Sequence, residues 1–504
     1  MNFLGVDLGT SSVKIVIMDK QGNIVDSISK EYPVYFPKNG WAEQEPTDWW
    51  NATLNGIKEL VAKSEVDGES IKGIGFSGQM HGLVMLDEEG NSLRPALLWC
   101  DQRTQEECDY LNNEIGREKI SKYTGNMALT GFTAPKVLWV KKHERELFDK
   151  AAHMLLPKDY ISYKLTGEFA TDVSDASGTL MFDVENRTWS KEMIEILGID
   201  EKVLPKIYES WEVTGKLTKE VADYTGLSVD TVVVGGAGDQ AAGAVGTGTV
   251  DTGIVSVALG TSGVVFASSD NYSVDDNNRL HSFCHANGKF HQMGVMLSAA
   301  ASLKWWVDNV NKDVDFEGYD DLFLKLIDEA DKAEIGGKGL LFLPYLMGER
   351  TPHSDPDARG TFIGMGMTHE RGHMTRAILE GVCYGLRDSL EILRDLNVPI
   401  EAVRVSGGGA KSKLWKQILA DVFNVKVQTI NSKEGPAYGG AILAAVGCGL
   451  YNSVDEACEA LIKVTETVEP IQENVEKYNE YYNVYKDMYG ILKDSFKKIS
   501  MLDK

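Results

Sequence analysis

Val6-Asp-Leu-Gly-Thr-Ser-Ser-Val13, close to the start of the chain, returns 251 positions later as Val257-Ala-Leu-Gly-Thr-Ser-Gly-Val264. Each copy is an apolar β-type run, a Leu-Gly-Thr-Ser turn and a second β-type run, with Val, Ile and Phe alternating on either side of the polar turn. This pattern predicts a β-hairpin whose tip offers backbone N–H groups and hydroxyls. Its recurrence divides the chain into two related halves. The divide falls near residues 243–252, where a Gly-Ala-Val-Gly-Thr-Gly run separates the strand-like Thr231-Val-Val-Val234 from the second copy. Strand-like runs at Gly73-Ile-Gly-Phe-Ser77, Leu340-Leu-Phe-Leu343 and Ala402-Val-Arg-Val405 alternate with helical patterns such as Met374, Ala377, Ile378, Val382 and Leu386. That alternation predicts an α/β fold. Tyr478, Tyr481, Tyr482, Tyr485 and Tyr489 fall at helical spacing and read as a packing stripe.

Length and charge agree with two lobes. A chain of 504 residues exceeds one compact domain. Lys and Arg number 51 against 75 Asp and Glu, a net charge of −24 whose field repels phosphate polymers and anionic membrane surfaces. Nucleic acid and membrane are therefore not expected partners. No run approaches the roughly 18 apolar residues of a membrane span, and the N-terminus meets Asp7 before any signal-type apolar core develops. The six cysteines include no C-x-x-C pair, so neither a disulfide framework nor a zinc ribbon is written here and a cytoplasmic protein is expected.

Glycine carries the most information. The chain has 50, about a tenth of its residues against an average near ~7 %. The window from Gly235 to Val264 holds nine of them with Asp239 and Asp251 as its two charges, marking close packing, ligand approach or both. The Gly-Lys pairs at 215, 288 and 337 are followed by Leu, Phe and Gly, which excludes a P-loop, and no G-x-G-x-x-G follows a strand. The two Leu-Gly-Thr-Ser turns are then the candidates for holding a nucleotide's phosphates. Ser406-Gly-Gly-Gly-Ala-Lys-Ser-Lys413 lies between a strand and an amphipathic pattern, a geometry that suits a ligand at a helix N-terminus or a plain tight connection. His369-Glu-Arg-Gly-His373 matches H-E-x-x-H by letter, but Gly372 lies inside it and the helical pattern starts only at Met374, so a zinc site is rejected. His281 and His285 read as structural. Asp239, in Gly235-Gly-Ala-Gly-Asp-Gln-Ala-Ala-Gly243, is a carboxylate in apolar surroundings at the junction of the halves. Such a group is a candidate general base, with helix capping as the alternative.

Together these residues resemble the FGGY family of carbohydrate kinases, most closely its xylulokinase branch, over Asp7 to about Gly449. Gly131-Phe-Thr-Ala-Pro-Lys-Val-Leu-Trp-Val-Lys-Lys-His143 fits the family's first signature. Gly360-Thr-Phe-Ile-Gly-Met365 followed by His373-Met-Thr-Arg-Ala-Ile-Leu-Glu380 fits its second. The resemblance implies two actin-like (RNase H-like) ATPase domains, 1–244 on the sugar side and 245–504 on the nucleotide side, closing on MgATP and a sugar. It implies Asp7 as the magnesium-associated acid and Asp239 as the catalytic base. Thr10, Ser11, Lys14, Gly260 and Thr261 become phosphate contacts, and Gly408 and Gly409 adenosine contacts. Met80 and His81, in Ser77-Gly-Gln-Met-His-Gly82, take the xylulokinase form where glycerol kinases have Arg-Glu, and Trp99 would pack on the sugar's carbon face. Gln240 departs from the Asn that many xylulokinases carry after the catalytic Asp; the amide chemistry is kept, with one more methylene of reach. The implied reaction is ATP-dependent phosphorylation of D-xylulose, in a protein expected to form homodimers. Alternatives are another sugar or polyol (ribulose, gluconate, glycerol), or a non-enzymatic actin-like ATPase or sugar sensor.

Overall fold

A computed structural model of the chain describes residues 1–432 and 434–502. In the first half, β1 (Asn2–Leu8), β2 (Ser12–Asp19), β3 (Ile24–Glu31), β4 (Ile71–Gly78), β5 (Val213–Lys216) and β6 (Val232–Val234) form a sheet in the order β5-β6-β4-β1-β2-β3, with the short strand Ala237–Gly238 also on β4. In the second half, β7 (Gly253–Leu259), β8 (Gly263–Ser269), β9 (His281–Cys284), β10 (Phe290–Met296), β11 (Ile400–Ser406), β12 (Lys426–Ile430) and β13 (Val464–Val468) run in the order β9-β10-β8-β7-β11-β12-β13.

The sheets match over six strands, β9 being an addition in the second. In the first, β1 pairs antiparallel with β2, and β2 with β3, while β1-β4-β6 are parallel and β5 closes antiparallel. In the second, β7-β8-β10 are antiparallel, β7-β11-β12 are parallel and β13 closes antiparallel. The duplicated Leu-Gly-Thr-Ser motif is the β1–β2 hairpin tip in one half and the β7–β8 tip in the other. The registers differ by one residue, since Leu8 faces Val13 but Leu259 faces Gly263.

Six helices frame the cleft and the second core: α1 (Thr133–His143), α2 (Asp239–Gly246), α3 (Arg371–Asp395), α4 (Lys413–Phe423), α5 (Gly435–Gly447) and α6 (Gln472–Leu502). Helices α2 and α5 cross with their backbones in contact. A Cβ on Gly439 would lie 1.8 Å from the Ala242 carbonyl oxygen, and one on Gly246 would lie 2.0 Å from that of Gly435. Part of the glycine excess therefore serves this crossing. A boundary at 244/245 would cut α2, so we place the divide in the 247–252 connection. Helix α5, although late in sequence, packs on the first sheet through Ala437 and Ala441, in a core shared with Phe3, Val16 and Val245. The tyrosine stripe does pack α6 against α3, but its hydroxyls also serve buried carboxylates: Tyr478 donates to Glu380 (3.0 Å) and Tyr482 to Asp388 (2.7 Å). Among the described residues no helix is long and apolar enough to cross a membrane. All six cysteines are free.

Candidate active site

The first hairpin tip is pinned from behind. Gly9 N donates to Ser12 O (3.0 Å), Tyr32 donates to the Gly9 carbonyl (2.5 Å), and Gln44 Nε2 donates to the Thr10 carbonyl (2.7 Å). These bonds consume carbonyls and leave Ser11 exposed. At the second tip the carbonyls of Gly260 and Thr261 accept from Ala300 N (2.9 Å) and Ala299 N (3.0 Å), and Thr261 is exposed. Both tips thus present donors rather than acceptors, the polarity a phosphate requires. The Lys14 ammonium is ion-paired with Glu434, across the two halves. A phosphate contact by Lys14 therefore has to compete with that carboxylate.

Asp7 is the penultimate residue of β1, and Asp239 opens α2. The residue capping α2 is Gly238, not Asp239, so the capping alternative fails. Ser77 Oγ donates to Asp7 Oδ1 at 2.7 Å. Burial raises the pKa of both carboxylates, and the charge of Asp7 raises Asp239 further, to about 7. A carboxylate poised near neutrality can accept a hydroxyl proton and release it again.

Met80, His81, Trp99, Asp239 and Gln240 line one cavity of about 190 Å³, together with Phe132, Arg350 and others. The residues come from both halves. His81 is held with unusual completeness. Its backbone is left-handed (φ 68°), and its carbonyl accepts from Lys136 Nζ (2.8 Å) and Thr133 Oγ1 (3.1 Å), both on α1. Such strain persists only where surroundings enforce it. The family-type segment 131–143 therefore acts here as a clamp, since Lys136 also donates to the Gly131 carbonyl (2.6 Å). His81 Nδ1 lies 2.6 Å from the Gly178 carbonyl, which can only accept, so Nδ1 carries the proton. Burial holds the ring's pKa well below its usual value. A neutral imidazole with Nδ1–H engaged keeps Nε2 as an acceptor for a ligand hydroxyl.

Trp99 joins this cavity to the first tip. Its ring is 40 % exposed, and its indole N–H donates to Thr10 Oγ1 at 2.9 Å. Trp99→Phe keeps a ring face but removes that bond. We expect kcat to fall roughly two- to twelvefold, the worth of one net hydrogen bond, with sugar KM changed less than kcat. An unchanged kcat in steady-state assays would show that the link carries no coupling.

The third glycine turn differs in part from expectation. The N-terminus of α4 is closed by Ser412, whose Oγ accepts from Trp415 N (3.2 Å), so it is not free for a ligand. Lys413 is merely the first residue of that helix. The short turn Gly408–Lys411 precedes it. Gly407 enters that turn at φ 87°, where a Cβ would lie 2.6 Å from the Leu259 carbonyl oxygen, just before the second tip. A Cβ on Gly408 would meet nothing within 4 Å, whereas one on Gly409 would lie 2.9 Å from Leu259 Cβ. Gly408 faces open space and Gly409 lies beneath it as support.

The Nδ1 of His373 accepts from Glu370 N (3.1 Å) at the start of α3, and that of His369 accepts from Gly366 N (2.8 Å) in the preceding turn, so each imidazole of the false zinc motif bonds local backbone. Sequence reasoning missed Arg350, Phe132 and Lys136. The last two lie inside the quoted 131–143 segment, a signal that was present without an assigned role.

Residues 2–246 match the N-terminal domain of the FGGY family of carbohydrate kinases, and residues 255–448 match its C-terminal domain. The xylulose kinase of Bacillus subtilis is 40 % identical over 468 residues, covering 93 % of this chain and 92 % of that protein. Among solved structures, a xyloylose kinase from Brucella ovis superposes with a TM-score of 0.92 at 37 % identity, covering 98 % of this chain and 100 % of that one. A gluconate kinase from Lactobacillus acidophilus superposes with a TM-score of 0.93 at 28 % identity, covering 99 % of each chain. With two duplicated lobes, paired hairpin tips and a carboxylate poised at their junction, the chain belongs to the FGGY family of carbohydrate kinases.

Proposed function

We propose that the protein transfers the γ-phosphoryl group of ATP to the terminal hydroxyl of D-xylulose, giving D-xylulose 5-phosphate and ADP. The observation that carries this reading is the single cavity where Met80, His81, Trp99, Asp239 and Gln240 meet, joined through Trp99 to the first hairpin tip. Asp239 accepts the hydroxyl proton as the sugar oxygen bonds to phosphorus and the bond to the bridging oxygen of ADP breaks. His81 Nε2 accepts a hydrogen bond from a sugar hydroxyl, the Gln240 amide binds another, and the Trp99 ring covers the carbon face. The tips around Thr10, Ser11, Gly260 and Thr261 donate to the phosphates, and the turn at Gly408 borders the adenosine. Because the transferring group passes through a loose transition state, positioning and charge stabilisation supply most of the rate.

Magnesium fits the donor set. Asp7 and Asp239 repel one another, and among the described residues there is no group of three or more metal ligands. One or two carboxylates completed by waters and substrate phosphates is how magnesium is usually bound. Asp7, with Asp239 facing it, would hold the ion, which would neutralise phosphate charge when bound. The free cysteines suit a reducing cytoplasm.

An ADP-release assay across pentuloses, hexuloses, sugar acids and polyols tests the substrate. D-xylulose is expected to give the highest kcat/KM. A tenfold preference for another sugar, or ATP hydrolysis indifferent to sugar, would overturn the assignment. One observation favours a second reading: the guanidinium of Arg350 in the cavity would suit the carboxylate of a sugar acid such as gluconate.

A further inference from the structure

Among the described residues lining the sugar cavity, Arg350 is the only Lys or Arg. Half-buried itself, it stands apart from the arginines that are bonded within the protein. Arg94 and Arg103 pair with Glu43 at 2.8 and 2.7 Å, Arg376 pairs with Glu380 at 2.8 Å, and Arg404 donates to the Thr247 carbonyl at 2.8 Å. The guanidinium of Arg350 makes no hydrogen bond or ion pair with any described residue, and burial lowers its pKa. A half-buried guanidinium that lines the cavity without a protein partner has its N–H donors free for a ligand there.

The backbone that carries it is, by contrast, firmly held. Glu349 Oε1 accepts from Arg350 N (2.7 Å) and Leu297 N (3.0 Å). Thr351 N donates to the Val295 carbonyl (2.9 Å), and Val295 N donates to Thr351 Oγ1 (3.0 Å). These bonds fasten the loop to the end of β10, where Val295 itself lines the cavity. Arg350 lies on the His81 side: its charge depresses the pKa of both His81 and His281, and Phe132 stands between those rings at 4.7 and 5.5 Å. Trp99, which lines the same cavity, is the residue bonded to Thr10 of the first hairpin tip.

We propose that Arg350 is a substrate-recognition residue whose guanidinium donates paired N–H bonds to adjacent oxygens at the end of the sugar remote from the phosphoryl acceptor. A planar fork favours two neighbouring acceptors, such as a ketose carbonyl with its flanking hydroxyl or a carboxylate, over the lone hydroxyl of a short polyol. The residue belongs to the second half, whereas Met80, His81 and Asp239 belong to the first. A sugar held by both sets bridges the cleft, so its binding draws the halves together.

The proposal rests on the sugar-kinase reading but not on D-xylulose in particular. Its test uses whichever sugar the wild-type enzyme turns over best. Titration calorimetry with that sugar is expected to show affinity falling by about 10- to 150-fold in Arg350→Met, the range for a hydrogen bond to a charged group. Arg350→Lys, which keeps charge but loses the fork, should recover only part. The wild-type preference for the sugar over glycerol, as a ratio of kcat/KM values, should shrink by the same factor in Arg350→Met. ADP affinity, reporting the nucleotide side, should stay within twofold. Sugar affinity within twofold of wild type in both variants overturns the proposal, as does an unchanged preference ratio or a wild-type protein that binds no sugar. A wild-type enzyme that prefers a sugar other than D-xylulose refutes the substrate assignment while leaving the Arg350 test intact.

Discussion

Replacing Asp239 by Asn should lower kcat for sugar phosphorylation by about 10²- to 10⁴-fold, the contribution typical of a positioned general base. The amide keeps the shape of the carboxylate but cannot take the hydroxyl proton. Fold and nucleotide binding should survive, because Gly238 rather than Asp239 caps α2. The native carboxylate resists ionisation through burial and the charge of Asp7. A neutral amide at that site relieves both costs, so the melting temperature of Asp239→Asn should equal or exceed that of the wild type. ADP titration and thermal melting check the two controls, and steady-state kinetics checks the rate. Retention of more than a tenth of wild-type kcat would remove Asp239 from the role of base.

Local features were legible in the sequence, and features assembled by tertiary packing were not. The repeated Leu-Gly-Thr-Ser could be read as two hairpin tips because strand, turn and strand are neighbours in the chain, and Asp239 betrayed itself by its uncharged surroundings. The pairing of Lys14 with Glu434 joins residues far apart in sequence, and no local pattern announces it. Gly408 and Gly409 are indistinguishable as letters, yet Leu259 of the second sheet and Trp415 of α4 crowd one of them and not the other. Arg350 lies between Glu349 and Thr351 in a segment with no regular period. Its importance emerges only when its lack of a partner is set beside the carboxylates given to Arg94, Arg103 and Arg376. The glycine excess was recognised as a mixture of packing and ligand approach. The packing share, at the crossing of α2 and α5, required knowing that two helices nearly 200 residues apart lie in contact.

Lys158→Met should be the most destabilising single change near the site. Its side chain is 1 % exposed and its ammonium lies 2.6 Å from Asp159, 2.9 Å from Asp172 and 3.6 Å from Asp175, none of them solvated. Removing the one cation leaves three buried carboxylates without a counter-charge, and breaking a buried pair from one side typically costs about 3–5 kcal/mol. The cost should depend on pH with a definite sign. Burial already raises the pKa of Asp159 and Asp175 in the native protein, and without the lysine charge both rise further. The folded variant then holds protons that the unfolded chain has released, so its stability falls as pH increases through the raised values. The urea midpoint of Lys158→Met should therefore lie further below that of the wild type at pH 8 than at pH 5. The same cluster also reaches the catalytic carboxylate. Asp172 accepts from Ser174 Oγ (2.5 Å), Ser174 Oγ accepts from Gly238 N (3.1 Å), and Asp239 follows directly. The variant should thus lose kcat even at pH 5, where it is folded. A midpoint difference independent of pH would mean that the carboxylates are not the source of the instability, and an unchanged kcat would mean that the chain from Lys158 to Gly238 does not position the base.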